Sequence, residues 1–317
     1  MIQRFKTFYT VAALLTFSHW TLGQQAPQFS LFSLNQLYYN PAAAGADGVS
    51  QLQITHRAQY AGYQSTFDPG GAPSSQLLTA SVPLKNFGIG FYALNDRIGA
   101  LSSQDIQLSA AYRIPLNEGN LSVGARAGLL RKALDYNQLR PYEPGDDIIP
   151  TGVAAQMNPD VSVGLRYERD SYYVGLSANH LLRPKYQLGT ESATNPQLTT
   201  YYLNAGLLIE IGYLLEVRPI ALVKTDLKEF SVEGGATATY NQRYWMGATY
   251  RHQEAAIVMA GIHLMADQSL RLAGAYDIIV GGTSVKSPSS YEILLTYVLP
   301  APKLGKKTIV RTPRFRF

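Results

Sequence analysis

From residue 51 onward, apolar and polar positions alternate with a period of two along most of the chain, and runs with a helical period are scarce. Leu121, Val123, Ala125, Ala127 and Leu129 share one face, while Ser122, Gly124, Arg126 and Gly128 share the other. Val161, Val163, Leu165 and Tyr167 alternate in the same way with Ser162, Gly164, Arg166 and Glu168. The pattern returns at Phe230, Val232, Ala236, Ala238 and Tyr240, at Leu270, Leu272, Gly274, Tyr276 and Ile278, and at Tyr291, Ile293, Leu295 and Tyr297. Each segment spans roughly 9–12 residues, the length a tilted strand needs to cross a bilayer. We read about fourteen such strands. They begin near Gln51, Ser75, Phe87, Ser103, Gly119, Asn158, Ser171, Thr199, Leu214, Phe230, Arg243, Ala255, Ser269 and Ser289.

The connections between strands alternate short (115–120, 168–171, 241–243, 266–269) with long (61–74, 133–157, 182–198). This predicts a single transmembrane antiparallel β-barrel, all-β, with an even strand count and both termini periplasmic. A soluble β-sandwich alternates as well, but it requires neither this loop pattern nor tyrosine at so many strand ends. The inward face carries Arg113, Arg126, Arg166, Glu210, Glu216, Arg218, Glu233, Arg243, Arg251, Arg271, Asp277 and Glu292 among Gly, Ser, Ala and Thr. Charges of both signs at that density predict ion pairs across a packed lumen, because unpaired charge there is costly. A wide, wet pore is the alternative.

The two ends read differently. Arg4 and Lys6 precede an apolar run at 8–17 and a short polar stretch ending in Thr21-Leu22-Gly23, the order of a secretory signal. About ten apolar residues are too few to span a membrane core that needs roughly 20. The chain therefore divides into a cleaved signal (1–23, leaving Gln24 first), an N-terminal plug or docking segment (24–50), the barrel (51–299) and a basic periplasmic tail (300–317). In the second of these, Phe29, Phe32, Leu34, Leu37 and Tyr38 are too apolar for a solvated linker, and Asn40-Pro41 imposes a turn or extended backbone. The segment is expected to fold against the periplasmic mouth or into the lumen, which makes Pro27, Phe29, Tyr39, Asn40 and Pro41 candidate partner-binding residues. In the tail, Pro300 and Pro302 stop the last strand, and Lys303, Lys306, Lys307, Arg311, Arg314 and Arg316 follow without an acid. We expect Lys306, Lys307, Arg311 and Arg314 to meet an acidic periplasmic partner, with Phe315 and Phe317 as anchors.

Composition narrows the function classes. The absence of cysteine excludes disulfides, thiolate metal sites, Cys nucleophiles and a lipid-bearing N-terminal Cys. The net charge of +5 comes from scattered basic residues, and an exported chain has no call on nucleic acid. Twenty-two tyrosines against 11 phenylalanines, with only 15% charged residues, suit a membrane barrel with aromatic girdles. No HExxH, GxSxG, P-loop or GxGxxG pattern is present. Gly88-Ile89-Gly90 lacks a dinucleotide-binding continuation, Arg251-His252 with Glu254 lacks a partner nucleophile, and Asp146-Asp147 lacks a calcium ligand series. No catalytic residue, metal or cofactor is therefore expected, and the reading is non-enzymatic.

Pro27-Gln28-Phe29-Ser30, then Tyr39-Asn40-Pro41-Ala42 and Ala44-Gly45, resemble the N-terminal signature of the PorP/SprF family. Further landmarks follow in order: Arg57-Ala58-Gln59-Tyr60-Ala61-Gly62-Tyr63, Gly71-Ala72-Pro73, Asn95-Asp96-Arg97-Ile98-Gly99, Asn158-Pro159-Asp160, Tyr172-Tyr173-Val174-Gly175-Leu176-Ser177 with His180, and Ala275-Tyr276-Asp277-Ile278. Two places depart from that pattern: Gln59-Tyr60 stands where Gln-Trp is usual, and Ser290-Tyr291-Glu292-Ile293 where Ser-His-Glu-Ile is common. The resemblance implies an integral outer-membrane component of the type IX secretion system. It implies contact with periplasmic and outer-membrane machinery and support for export or surface attachment of an adhesin-like cargo, as in gliding motility. From the residues alone, a channel for small or hydrophobic solutes stays open as the alternative.

Overall fold

The computed structural model describes residues 26–61, 72–139, 151–188, 195–265, 267–281 and 289–300. Fourteen strands form the wall: β1 (Gln51–Ala58), β2 (Ser74–Leu84), β3 (Phe87–Ile98), β4 (Leu101–Leu116), β5 (Gly119–Asp135), β6 (Val153–Arg169) and β7 (Tyr172–Asn179) make the first half. The second half is β8 (Thr200–Leu207), β9 (Leu215–Thr225), β10 (Phe230–Tyr240), β11 (Tyr244–Arg251), β12 (Ala255–Leu264), β13 (Leu270–Ile279) and β14 (Ser289–Val298). Each pairs antiparallel with the next, and β14 returns to β1 in a register running from Gln51↔Val298 to Ala58↔Tyr291. The sheet closes into a barrel, which leaves the fourteen-strand wall without an open edge strand. A short strand, Ile209–Ile211, continues β8 past Leu208 and pairs with the start of β9.

One rim carries the connections 85–86, 117–118, 170–171, 208–214, 241–243 and 265–269; we call it the turn rim. Asn117, Asn241 and Gln242 there have φ of 48°, 50° and 53°, a left-handed conformation that asparagine tolerates better than most residues. The opposite, loop rim does not keep the expected alternation: the connections at 99–100, 226–229 and 252–254 are as short as the turns. Strand β6 also begins at Val153, ahead of the expected Asn158, because residues 153–157 pair with Asp135 back to Arg131 and extend the ladder toward the loop rim.

Large apolar side chains such as Leu108, Val123, Leu165, Leu176, Met246, Val258 and Ile293 face outward and stay exposed. Exposed aromatic rings collect near both edges of this belt. Phe87, Tyr112, Tyr240, Tyr244 and Tyr297 lie toward the turn rim, and Phe230, Tyr250, Tyr276 and Tyr291 toward the loop rim. This is the outer surface of a bilayer-spanning barrel with two aromatic girdles. The buried apolar core lies inside the barrel, and each of its three clusters joins wall residues to residues from 29–44.

The backbone N–H of Leu299 donates to the Ser50 carbonyl at 2.8 Å, so the entry to β1 and the exit from β14 meet at the turn rim. The first described residue, Ala26, lies at the opposite rim, where its carbonyl accepts from Lys224 Nζ at 2.7 Å near the end of β9. The described chain thus does not keep both of its ends at one mouth. The signal (1–23, with Gln24), Asp146-Asp147 and the tail residues Lys306, Lys307, Arg311, Arg314, Phe315 and Phe317 lie outside the described residues.

Candidate functional site

Between Ala26 and Gly45 the chain runs through the lumen. It descends from the loop rim, forms a one-turn helix α1 (Gln36–Tyr39) and a 3-10 turn Pro41–Ala43, and leaves at the turn rim. The Asn40 side chain joins these two pieces: its Oδ1 accepts from the Ala42 N–H at 2.8 Å, a capping bond that fits proline at the first turn position. The Asn40 amide then donates to the wall carbonyls of Leu165 (2.9 Å) and Leu176 (3.3 Å).

Near the loop rim the segment is held by a buried ionic cluster drawn from five strands. Arg57 of β1 bonds Asp277 of β13 at 2.6 Å and lies 3.3 Å from Glu292 of β14, while Arg251 of β11 pairs with Glu233 of β10 at 2.9 Å. Ser30 sits at the centre. Its hydroxyl donates to Asp277 and accepts from Arg57 at 2.6 Å; its N–H and that of Leu31 donate to Glu292 at 2.7 and 3.2 Å. Gln28 Nε2 donates to Glu233 at 3.1 Å. Three buried carboxylates against two guanidiniums, with half-buried Glu254 also 3.2 Å from Arg251, leave an excess of acceptors, and backbone and side-chain donors of the inner segment fill part of it. A wall without the segment would hold those carboxylates short of donors.

Further along, aromatic packing and a narrow seat take over. The rings of Phe29, Tyr38, Tyr39, Tyr92 and Tyr202 meet edge to face at centroid distances of 4.9–5.6 Å. Arg126 lies 4.7 Å over the Tyr92 ring and donates to the carbonyls of Leu37 and Tyr38, capping the end of α1 with positive charge. Ser177 and Asn179 donate to the Tyr39 carbonyl at 2.8 and 3.1 Å. The 3-10 turn rests on one inward row of small residues, Gly88, Ala111, Gly124, Gly164 and Ser177, paired directly across β3 to β7. A Cβ on Gly88, Gly124 or Gly164 would meet the Ala44 carbonyl oxygen at 1.9 Å, the Ala42 nitrogen at 2.4 Å or Asn40 Oδ1 at 2.0 Å. Gly45 combines φ of 68° with a Cβ position 2.8 Å from the Gly88 Cα, so both conformation and space require glycine.

Of the residues singled out in the sequence, Phe29, Tyr39, Asn40 and Pro41 come together here, all buried, with Pro27 half-buried and its carbonyl accepting from Tyr38 Oη at 3.2 Å. None of the four buried ones reaches a partner outside the barrel while the segment stays in place. Among the expected inward charges, Arg126, Arg166, Glu233, Arg251, Asp277 and Glu292 are buried, whereas Glu210, Arg218 and Arg243 are exposed toward the turn rim, where the wall ends in water. Several buried groups were not among the expected inward charges, although Arg57, Asp160 and His180 stand in the family landmarks. Arg57 is one, although it alternates in phase with Gln53 and Thr55 and was legible by that parity. Others form a second polar patch: Tyr92 Oη and Gln107 Nε2 donate to Asp105 at 2.5 and 2.6 Å, and His180 bonds Asp160 at 2.9 Å. Gly88 and Gly90 seat the inner segment, and Arg251 and Glu254 serve the ionic cluster. Among the described residues, no group of three or more His, Asp or Glu is placed to hold a metal ion.

The lumen of this girdled, bilayer-spanning barrel is thus filled by the chain's own N-terminal segment. Residues 21–297 match the family described as type IX secretion system membrane protein PorP/SprF. The chain belongs to the PorP/SprF family. The family match starts ahead of the inner segment and ends one residue short of the last residue of β14, so segment and wall are matched together. Comparison with curated protein sequences gives no match. Among solved structures, the chain is similar to the toluene transporter TbuX of Ralstonia pickettii (TM-score 0.50, 12% identity, 82% of this chain and 92% of that one). It is also similar to the toluene transporter TodX of Pseudomonas putida (TM-score 0.45, 11% identity, 81% and 92%) and to the KdgM porin (TM-score 0.39, 9% identity, 79% and 99%). At these identities, the likeness to TbuX concerns the outer-membrane barrel fold and nothing of what is transported.

Proposed function

We propose that this PorP/SprF-family barrel is a non-enzymatic outer-membrane component of the type IX secretion system that supports export or surface attachment of a secreted, adhesin-like protein. The observation that carries the reading is the occupied lumen: a wall whose buried carboxylates and glycine row are completed by residues 28–45 is built to hold a polypeptide segment. It is poorly suited to pass solutes, which argues against the channel reading.

In this proposal the turn rim faces the periplasm and the loop rim faces the cell exterior, after removal of residues 1–23. The basic tail beyond Pro300, with Lys306, Lys307, Arg311, Arg314, Phe315 and Phe317, docks on acidic periplasmic machinery. The test is genetic and biochemical. Loss of the gene abolishes surface display of at least one type IX cargo, and the full chain crosslinks to secretion components from the periplasmic side. Deleting residues 303–317 leaves the barrel in the outer membrane but reduces that crosslinking and the cargo display. Normal display of every type IX cargo without the gene sinks the proposal. Full display with the tail deleted sinks its docking role alone.

A further inference from the structure

At the turn rim, beside the inner segment, lies a cavity of about 300 Å3 that the features described so far leave unused. It lies between Leu34 of the segment and the wall of β9 to β13, and Gln242 and Gln268 from two adjacent turns stand at its edge. Arg218 and Arg271 supply its positive charge, and Trp245 and Tyr173 add aromatic rings to its lining.

The hydrogen bonding of this cavity is lopsided. Arg271 is half-buried, and among the described residues no carboxylate lies within salt-bridge distance of it. Its Nε instead donates to His263 Nε2 at 3.0 Å. A ring nitrogen that accepts carries no proton, so the imidazole proton is on Nδ1, and that buried N–H has no acceptor among the described residues. Among the described residues, no hydrogen bond engages either terminal nitrogen of Arg271. The single carboxylate lining the cavity, Glu216, is already engaged by Arg218 at 3.2 Å. Asp47 acts on Arg271 through space, but it is exposed and accepts from Gln51 at 2.6 Å. Among the described residues, two guanidiniums against one lining carboxylate leave one positive charge and several donors without a counterpart.

We propose that this cavity is a binding site for a carboxylate carried on an apolar or aromatic body and presented from the turn rim. The uncompensated charge is a single unit, which suits a carboxylate better than a phosphate dianion. Planar guanidinium forks recognise carboxylates in a bidentate manner. Trp245 and Tyr173 take the body of the ligand, as the apolar walls of small-ligand sites do. The inference stands apart from the secretion reading, since it depends only on this cavity.

Trp20 and Trp245 are the only tryptophans in the chain, and Trp20 lies in the segment proposed to be removed, so the emission of Trp245 alone reports occupancy in the purified mature barrel. N-acetyl-phenylalanine should change that emission saturably, while its neutral amide should not and acetate should bind far more weakly. Arg271→Gln and Arg218→Gln should each weaken binding about tenfold, the scale of one lost charged hydrogen bond. Glu216→Gln, which removes the competing acceptor, should tighten it, a gain that misfolding does not mimic. Equal responses to acid and amide, no saturable response, or unchanged affinity in Arg271→Gln and Glu216→Gln would overturn the site. Tighter binding of phenyl phosphate than of N-acetyl-phenylalanine would overturn the carboxylate assignment, and acetate as tight as N-acetyl-phenylalanine would overturn the role of the apolar wall.

Discussion

The backbone N–H of Ser30 donates to the carboxylate of Glu292 at 2.7 Å, across 262 positions of sequence. One residue of the inner segment thereby closes the hydrogen bonding of a carboxylate on the final strand. The final strand in turn pairs with the first. Wall closure and lumen filling are thus coupled at one point. Completing β14 creates the acceptor that the segment needs, and the segment supplies the donors that make a buried Glu292 tolerable.

The first prediction follows from the arginine in that cluster. Arg57→Met leaves Asp277 and Glu292 buried with Arg251 as the remaining guanidinium of the cluster, and breaking buried pairs of this kind costs about 3–5 kcal/mol. Arg169, paired with Glu118 at the exposed turn rim, is the control, and Arg169→Met should change stability by less than about 1 kcal/mol. Urea unfolding of the folded barrel in detergent micelles measures both. Equal midpoints for the two variants contradict the role assigned to the cluster.

The second concerns the seat. Gly124 faces inward and has no room for a Cβ beside Ala42, whereas its neighbour Ala125 is exposed on the outer face. Gly124→Val should displace the 40–44 turn while Ala125→Val leaves it in place. Hydrogen exchange read on the amides of residues 37–45 should rise by orders of magnitude in the first variant only. Retained protection in Gly124→Val would mean that the wall yields and the turn does not.

The third tests Asn40. Its side chain caps the turn and donates to two wall carbonyls, so Asn40→Ala leaves up to three buried backbone groups short of a partner. A cost of about 1–3 kcal/mol per unsatisfied group is expected. It should appear as faster local opening of the segment with little change in global unfolding, because β5 to β7 keep their ladders. Asn40→Asp restores the cap but not the two donated bonds, and should fall between.

How much of this was legible beforehand depends on where the information lies. The starts of β1, β3, β5, β10, β12 and β14 fall at Gln51, Phe87, Gly119, Phe230, Ala255 and Ser289, as alternation and turn residues indicate, because each strand writes its own period. Asn40-Pro41 and the aromatic run before it marked 27–45 as a segment in need of burial. The partners of that segment were not readable. That Gly88, Gly124 and Gly164 line up, or that Arg57 meets Asp277, depends on the register of separate strands around a closed barrel, which no single strand encodes. Parity gives the face of a residue and leaves its neighbours open, which is why Asp105, Asp160 and His180 went unnoticed as a patch.

The last prediction is conductance. Residues 28–45 place Phe29, Leu31, Phe32, Tyr38 and Tyr39 in the lumen, each almost without exposure, and tie them to both rims, to the ionic cluster at one and to Ser81 and Arg113 at the other. Purified barrels in planar bilayers should therefore stay nearly closed. Removing residues 26–45 takes away the apolar filling and leaves Arg57, Arg126, Glu233, Arg251, Asp277 and Glu292 facing an open lumen, where water can solvate them. That variant should assemble with reduced stability and show steady openings, and Gly124→Val should show brief ones, since its segment stays anchored at Ser30. Wild-type openings as large as those of the deletion variant would mean that the segment leaves the lumen readily, and the barrel would then have to be read as a channel.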